Sequence, residues 1–172
     1  MATYKQQNKL ATSLQNLSEK IIAGVKNAGD FHFCIIQAEW NAKITGALSQ
    51  GAIDTFLANG VPNNQIKHVL VPGSFELIHA SKIAAETGNF DAVIAIGVII
   101  KGDTVHFEYI CQAVSVGLAQ LNATLKIPII FGVLTTLNQF QAEERAGGSL
   151  GNKGDEAAYT ALKMAELGFL MK

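Results

Sequence analysis

The sequence predicts an α/β protein built as a three-layer α/β/α sandwich around a four-stranded parallel sheet. Two observations carry that expectation. Four short, β-branched apolar runs follow one another along the chain, and each leads into a segment where apolar residues recur at helical spacing. The runs are also nearly continuous in apolar character rather than alternating, as strands covered on both faces require. The chain has 172 residues and no Pro/Gly/Ser-rich linker inside the apolar region, which fits one domain with one core.

Taken in order, residues 1–30 read as an N-terminal arm ahead of a domain at 31–172. Within the arm, Leu10, Leu14, Leu17, Ile21 and Ile22 follow a polar start at helix-like spacing, which fits a short helix or a segment covered by a partner. Gly24 and Gly29 give a flexible entry to the core. The first strand spans Phe31 to Ile36, and its helix, Ala42 to Ala58, stops short of Gly60. A second strand, Ile66 to Val71, feeds a helix from Phe75 to Glu86 that ends before Gly88. The third unit pairs Asp91 to Ile100 with Phe107 to Thr124, with Pro128 just beyond. The fourth strand, Ile127 to Val133, precedes a short helix at Gln139 to Arg145 and a longer one at Lys153 to Leu167. Neither an internal repeat nor a low-complexity tract is present.

Composition narrows the function classes. Only 16% of the chain is charged while 49% is hydrophobic, below the ~25% charge of a typical soluble domain, which implies that other subunits cover part of the surface. A net charge of −1 without a basic cluster excludes the electrostatic footprint of a nucleic-acid or anionic-membrane binder. Small-molecule chemistry is left. No apolar run approaches the ~18 residues of a membrane span, and the polar start MATYKQQNKLATSLQN lacks the apolar core of a signal peptide. A cytoplasmic protein is therefore expected. Cys34 and Cys111 lack CxxC spacing, so neither a metal site nor a disulfide is implied, and both read as buried thiols.

In an open parallel sheet ligands bind outside the carboxyl ends of the strands. Four polar or aromatic segments fall there: Glu39-Trp40-Asn41, Pro72-Gly73-Ser74-Phe75-Glu76, Lys101-Gly102-Asp103-Thr104-Val105-His106, and Thr135-Thr136-Leu137-Asn138. The third is the most informative. A Gly-Asp-Thr turn entering a helix exposes backbone N–H groups and a hydroxyl to an anion. His106 then stands either as a proton-transfer group beside that anion or as a helix-capping surface histidine. His32, His68 and His79 read as structural, two inside strands and one within a helix. Glu76 either binds a ligand or simply favours the helix N-terminus it occupies. Arg145, the only arginine, suits bidentate phosphate binding, with pairing to Glu143 or Glu144 as the alternative. Trp40, the only tryptophan, offers a stacking face or packs on a helix. The Gly-rich stretch 147–154 lacks the order of a nucleotide phosphate loop, and no GxGxxG follows the first strand, so no nucleotide cofactor is indicated.

The segments VPGSFE (71–76), GVIIKGDTVHFEY (97–109), IPIIFGVLTT (127–136) and ERAGGSLGNKGDEAA (144–158) resemble, in order and spacing, the signature stretches of lumazine synthases across about residues 31–167. The resemblance implies a flavodoxin-like fold. It also implies condensation of 5-amino-6-(D-ribitylamino)uracil with 3,4-dihydroxy-2-butanone 4-phosphate, the penultimate step of riboflavin biosynthesis, without metal or organic cofactor. Carried over residue by residue, it sets the pyrimidine against Trp40, with Ser74, Phe75, Glu76 and the Val98-Ile99-Ile100 strand end holding its polar edge and ribityl chain. It assigns the butanone phosphate to Asp103, Thr104 and Arg145, proton transfer to His106, and an aromatic from the adjacent subunit to Phe131. Lys153 and Glu156 would lie nearby. Trp40 replaces the family's usual phenylalanine and Lys101 a common arginine, keeping the aromatic face and the charge. Family pockets lie between subunits of a pentamer, and the Arg145 to Lys153 spacing is similar to that of members that pack pentamers into icosahedral shells. Two other readings stand beside this one: a binding or shell protein that has lost turnover, and an unrelated flavodoxin-like binding module.

Overall fold

The computed structural model describes residues 25–171, so the arm expected at 1–30 lies outside the described residues up to Gly24. Strands β1 (Phe33–Ala38), β2 (Ile66–Val71), β3 (Ala92–Ile100) and β4 (Ile129–Thr136) form one parallel sheet in the order β2-β1-β3-β4. The helices are α1 (Ala42–Ala58), α2 (Glu76–Glu86), α3 (His106–Thr124), the short α4 (Gln139–Glu143) and α5 (Lys153–Leu170). A small antiparallel ribbon, β5 (Ala146–Gly148) with β6 (Gly151–Asn152), joins α4 to α5.

Alternation along the strands sorts the core into two layers. Phe33, Ile35, Ile94, Ile96 and Ile130 pack against α1 and α5 through Leu48, Phe56, Ala158 and Leu162. Cys34, Ile36, Val93, Ala95 and Val133 pack on the other face against Leu77 of α2 and Val114 and Leu118 of α3. The three-layer sandwich is thus what the nearly continuous apolar runs produce. β1 and β3, which have strand neighbours on both sides, are buried almost throughout, whereas β2 and β4 are edges, with Leu70 and Phe131 turned to solvent.

Three strands start later than expected, β3 by a single residue at Ala92 rather than Asp91. β1 begins at Phe33 rather than Phe31, because His32 and Asp91 clasp each other below the sheet: His32 N donates to Asp91 Oδ2 at 2.8 Å and Asp91 N to His32 O at 2.7 Å. His32 accordingly lies outside the strand. β4 begins after Pro128, which has no N–H to donate to the ladder, and runs on through Thr136. Cys111 is only half-buried, unlike Cys34, whose thiol burial pushes up to about 11. His68 is satisfied by the buried Gln37, its Nε2 lying 2.9 Å from Gln37 Oε1, while Gln37 Nε2 donates to Thr45 Oγ1 at 3.3 Å.

Helices α1 and α5 meet at glycine. A Cβ at Gly154 would overlap the Leu48 carbonyl oxygen and stand 2.6 Å from its carbon. Asn152 locks this contact, because its Nδ2 donates to Ala47 O of α1 at 2.9 Å while its Oδ1 accepts from Gly154 N at 2.8 Å and so caps α5.

Candidate active site

The strand order reverses between β1 and β3, the position where open α/β sheets form their ligand crevice. On one side of it the loops after β1 and β2 continue the strand pairing: Glu39 N donates to Val71 O at 2.8 Å and Trp40 N to Pro72 O at 3.3 Å. Asn41 heads α1 in the left-handed conformation, φ 59°, a geometry that asparagine tolerates. The chain turns there and leaves the Trp40 indole 74% exposed. A Cβ at Gly73 would stand 3.6 Å from Trp40 Cδ1 and 3.0 Å from Glu76 Oε2. Glycine therefore lets the indole and the carboxylate share one space. Ser74 is buried over Gly97, where a Cβ would come within 2.7 Å of its hydroxyl, and Phe75 beside it is half-exposed.

β3 pairs with β1 only as far as Ile96 but with β4 as far as Ile100. Along Val98, Ile99 and Ile100 the main chain facing β1 thus has no strand partner. The side chains of Val98 and Ile99 are in the core while Ile100 is only partly buried, so ligand contact from the first two comes from their N–H and C=O groups. Beyond it Lys101 N donates to Thr136 O at 2.9 Å, and Lys101 Nζ bridges to Glu108 at 3.0 Å, lying 5.8 Å from the Phe107 ring centroid. This pins the turn to the first turn of α3. Asp103, Thr104 and His106 are all exposed, and His106 N donates to Thr104 Oγ1 at 3.4 Å. The turn stands at the positive end of a 19-residue helix whose first N–H groups lack helical partners.

The other expected residues line an open groove of about 630 Å³ between the β4 edge and α5, where Phe131, Arg145, Lys153 and Glu156 come together. Arg145 does not pair with its neighbouring glutamates. Glu143 accepts from Gln139 at 2.9 Å and from Lys43 at 3.4 Å, and Glu144 accepts from the Ser149 hydroxyl. Among the described residues Arg145 has no carboxylate partner; its NH1 donates instead to Gln141 O at 2.9 Å. Lys153, by contrast, is held by both carboxylate oxygens of Glu156 at 2.8 Å. Among the described residues no cluster of His, Cys, Asp or Glu could hold a metal ion.

The expected residues therefore fall into two sets. Trp40, Ser74, Phe75, Glu76, the β3 end, Asp103, Thr104 and His106 surround the crevice, while Phe131, Arg145, Lys153 and Glu156 share the β4 groove. Trp40 follows β1 and Ser74 to Glu76 follow β2, two and three strand spacings from β4, roughly 10–14 Å, whereas the β3 end adjoins β4 directly. Several positions that shape the site have no individual role in the sequence reading, although Asn41, Gly73 and Asn138 fall in its strand-end segments: Asn41, Gly73, Gly97 and the pair Asn138 and Gln141. The last pair did carry a signal, since Asn-x-x-Gln ahead of a helix has capping-box spacing.

A family model described as 6,7-dimethyl-8-ribityllumazine synthase matches residues 30–168. Relatives bearing that description include one from Porphyromonas gingivalis, 54% identical over 158 residues, covering 92% of this chain and 98% of the relative. One from Phocaeicola vulgatus is 49% identical over 157 residues, covering 91% and 94%. One from Flavobacterium johnsoniae is 47% identical over 156 residues, covering 91% and 82%.

Proposed function

The chain belongs to the 6,7-dimethyl-8-ribityllumazine synthase family, and on that premise we propose that its crevice and its β4 groove are two halves of one active site, each site built from two copies. The enzyme is a transferase of riboflavin biosynthesis that condenses 5-amino-6-(D-ribitylamino)uracil with 3,4-dihydroxy-2-butanone 4-phosphate, releasing phosphate and water. The observation that supports a shared site is the distance of Trp40 and Ser74 to Glu76 from the β4 groove within one chain, with Trp40 and Phe131 each left open to solvent.

In this reading the pyrimidine ring stacks on Trp40, and Glu76 with the unpaired main chain of Val98, Ile99 and Ile100 takes its polar edge. Ser74 and Phe75 bound the same space. The butanone phosphate lies at the Asp103-Thr104 turn, where the helix N-terminus favours an anion, and meets Arg145 from the neighbouring copy, with Phe131 and Lys153 beside it. The 5-amino group attacks the ketone and water leaves to give an imine. Phosphate is then eliminated, and the ribitylamino nitrogen closes the ring with loss of a second water. His106 carries protons between these steps. No bond to the protein forms, so holding two substrates face to face supplies most of the rate, through an effective molarity that reaches ~10⁵ M or more in well-oriented systems. Arg145 and Thr104 stabilise the departing charge.

The assembly proposed is a pentamer, about 92 kDa from 18.3 kDa subunits, with an icosahedral shell of pentamers as its larger form. Among the described residues no helix is long and apolar enough to cross a membrane, and we place the enzyme in the cytoplasm on the strength of its biosynthetic family. Co-expression tests the shared site. With both substrates held well below their wild-type KM, Trp40→Ala and Arg145→Ala are each impaired alone, and mixed oligomers containing both recover activity at about a quarter of the sites if the two halves come from different copies. Mixed oligomers no better than the separate variants would place both halves in one chain and overturn the reading.

A further inference from the structure

The Arg145 guanidinium is fixed by a route that runs back to Asn138. Its NH1 donates to the carbonyl of Gln141, which leaves four of the five guanidinium N–H donors for an anion in the groove. That carbonyl is presented by α4, which has five residues and is far too short to persist by backbone hydrogen bonding alone. Two side chains close it. Asn138 Oδ1 accepts from Gln141 N at 2.9 Å, and Gln141 Oε1 reaches back to accept from Leu137 N at 3.0 Å. This is a capping box displaced by one residue. Beyond α4 the chain is held again, because Arg145 N donates to Ala142 O at 3.1 Å and Lys153 N to Arg145 O at 2.9 Å. The main chain of Arg145 is thus clamped from both sides, and its side chain is aimed by Gln141.

We infer that Asn138 and Gln141 are positioning residues for Arg145, setting affinity for the phosphate-bearing substrate without touching it. The inference rests on the reading of Arg145 as the phosphate cation. A frayed α4 carries the Gln141 carbonyl away, and the guanidinium then loses its anchor while keeping its charge. Affinity for phosphate falls and affinity for the pyrimidine is untouched, because Trp40 and Glu76 stand on other loops.

The test is a thermodynamic cycle on the assembled enzyme, read as the inhibition constant of inorganic phosphate and the KM of each substrate. Asn138→Ala weakens phosphate about fivefold, the scale of a lost N-cap, and raises the KM of the butanone phosphate in step, with the pyrimidine KM unchanged. Gln141→Ala behaves alike, and Asn138→Ser, which keeps the capping oxygen, restores the wild-type values. In the Arg145→Ala background Asn138→Ala has no further effect on phosphate. An Asn138→Ala penalty that persists without Arg145, or that falls equally on both substrates, would overturn the inference while leaving Arg145 as the phosphate cation. Unchanged phosphate inhibition in Arg145→Ala alone overturns the parent reading and this one with it.

Discussion

Replacing Gly154 with alanine puts a methyl group where the structure has no room. The added Cβ would overlap the Leu48 carbonyl oxygen, lie 2.6 Å from its carbon and stand 3.0 Å from Asn152 Oδ1. Carbon atoms in contact need about 3.5–4.0 Å, and the obstacle is backbone, so α1 and α5 must part by roughly 1 Å. That loosens Ala157, Ala158 and Ala161, all buried in the same layer, and pulls Asn152 off one of the two helices it joins. Overpacking costs about 1–3 kcal/mol and the strained cap about 1 more, against a helix-propensity gain of at most ~1. The net loss is about 1–4 kcal/mol, a fall in Tm of roughly 2–16 °C for a chain of this size, measured by circular dichroism. Gly168 lies on the same helix with nothing within 4 Å of an added Cβ, so Gly168→Ala gains up to ~1 kcal/mol. A Gly154→Ala protein as stable as wild type, or shifted in the same direction as Gly168→Ala, refutes the steric argument.

Three further outcomes are expected. Burial, with the charges of Asp54 and Glu156 behind it, raises the pKa of Asp155; its favourable contribution is complete below about pH 4 and lost as pH rises through the folded value. Asp155→Asn therefore raises Tm at pH 7, and the difference closes on acidification toward pH 4; a gap that widens in acid contradicts the sign. Trp40→Ala raises the pyrimidine KM about tenfold, the scale of one lost ring-stacking contact, while Trp40→Phe stays near wild type; equal effects from both would deny a stacking role. His106→Ala slows turnover by about 10- to 100-fold without abolishing it, since orientation carries most of the rate. Wild-type rates in that variant remove His106 from the mechanism, and complete loss removes the dominance of orientation.

The fold was legible because each βα unit announces itself twice, by a β-branched run and by the helical spacing that follows it. α1 was placed to the residue, with Gly60 just beyond its end. The clasp between His32 and Asp91 was not visible, since a long-range side-chain bond leaves no periodic trace. The β5–β6 ribbon was missed for a different reason: strands of three and two residues, mostly glycine, carry no apolar pattern, and the turn depends on Gly147 and Gly151 at φ 106° and 78°. In the site, the Gly-Asp-Thr turn placed His106 at the start of a helix. Whether Arg145 pairs with Glu143 or Glu144 could not be read from the sequence, because Gln139 and the distant Lys43 claim the first carboxylate and Ser149, across the ribbon turn, claims the second. The burial of Val98 and Ile99 likewise needed the sheet, and it leaves the main chain as the part of these two residues open to a ligand.

The single indole has an optical consequence. Trp40 is 74% exposed in the isolated chain, so its emission in the folded, unassembled subunit resembles that of an unfolded chain in water. Fluorescence is then nearly blind to melting of the core. What moves the emission to shorter wavelength, or quenches it, is whatever covers the crevice mouth, whether a second copy or a pyrimidine ring. One dilution series followed by emission wavelength and by far-ultraviolet circular dichroism therefore separates two events that other probes merge: dissociation registers in the first signal and loss of fold in the second.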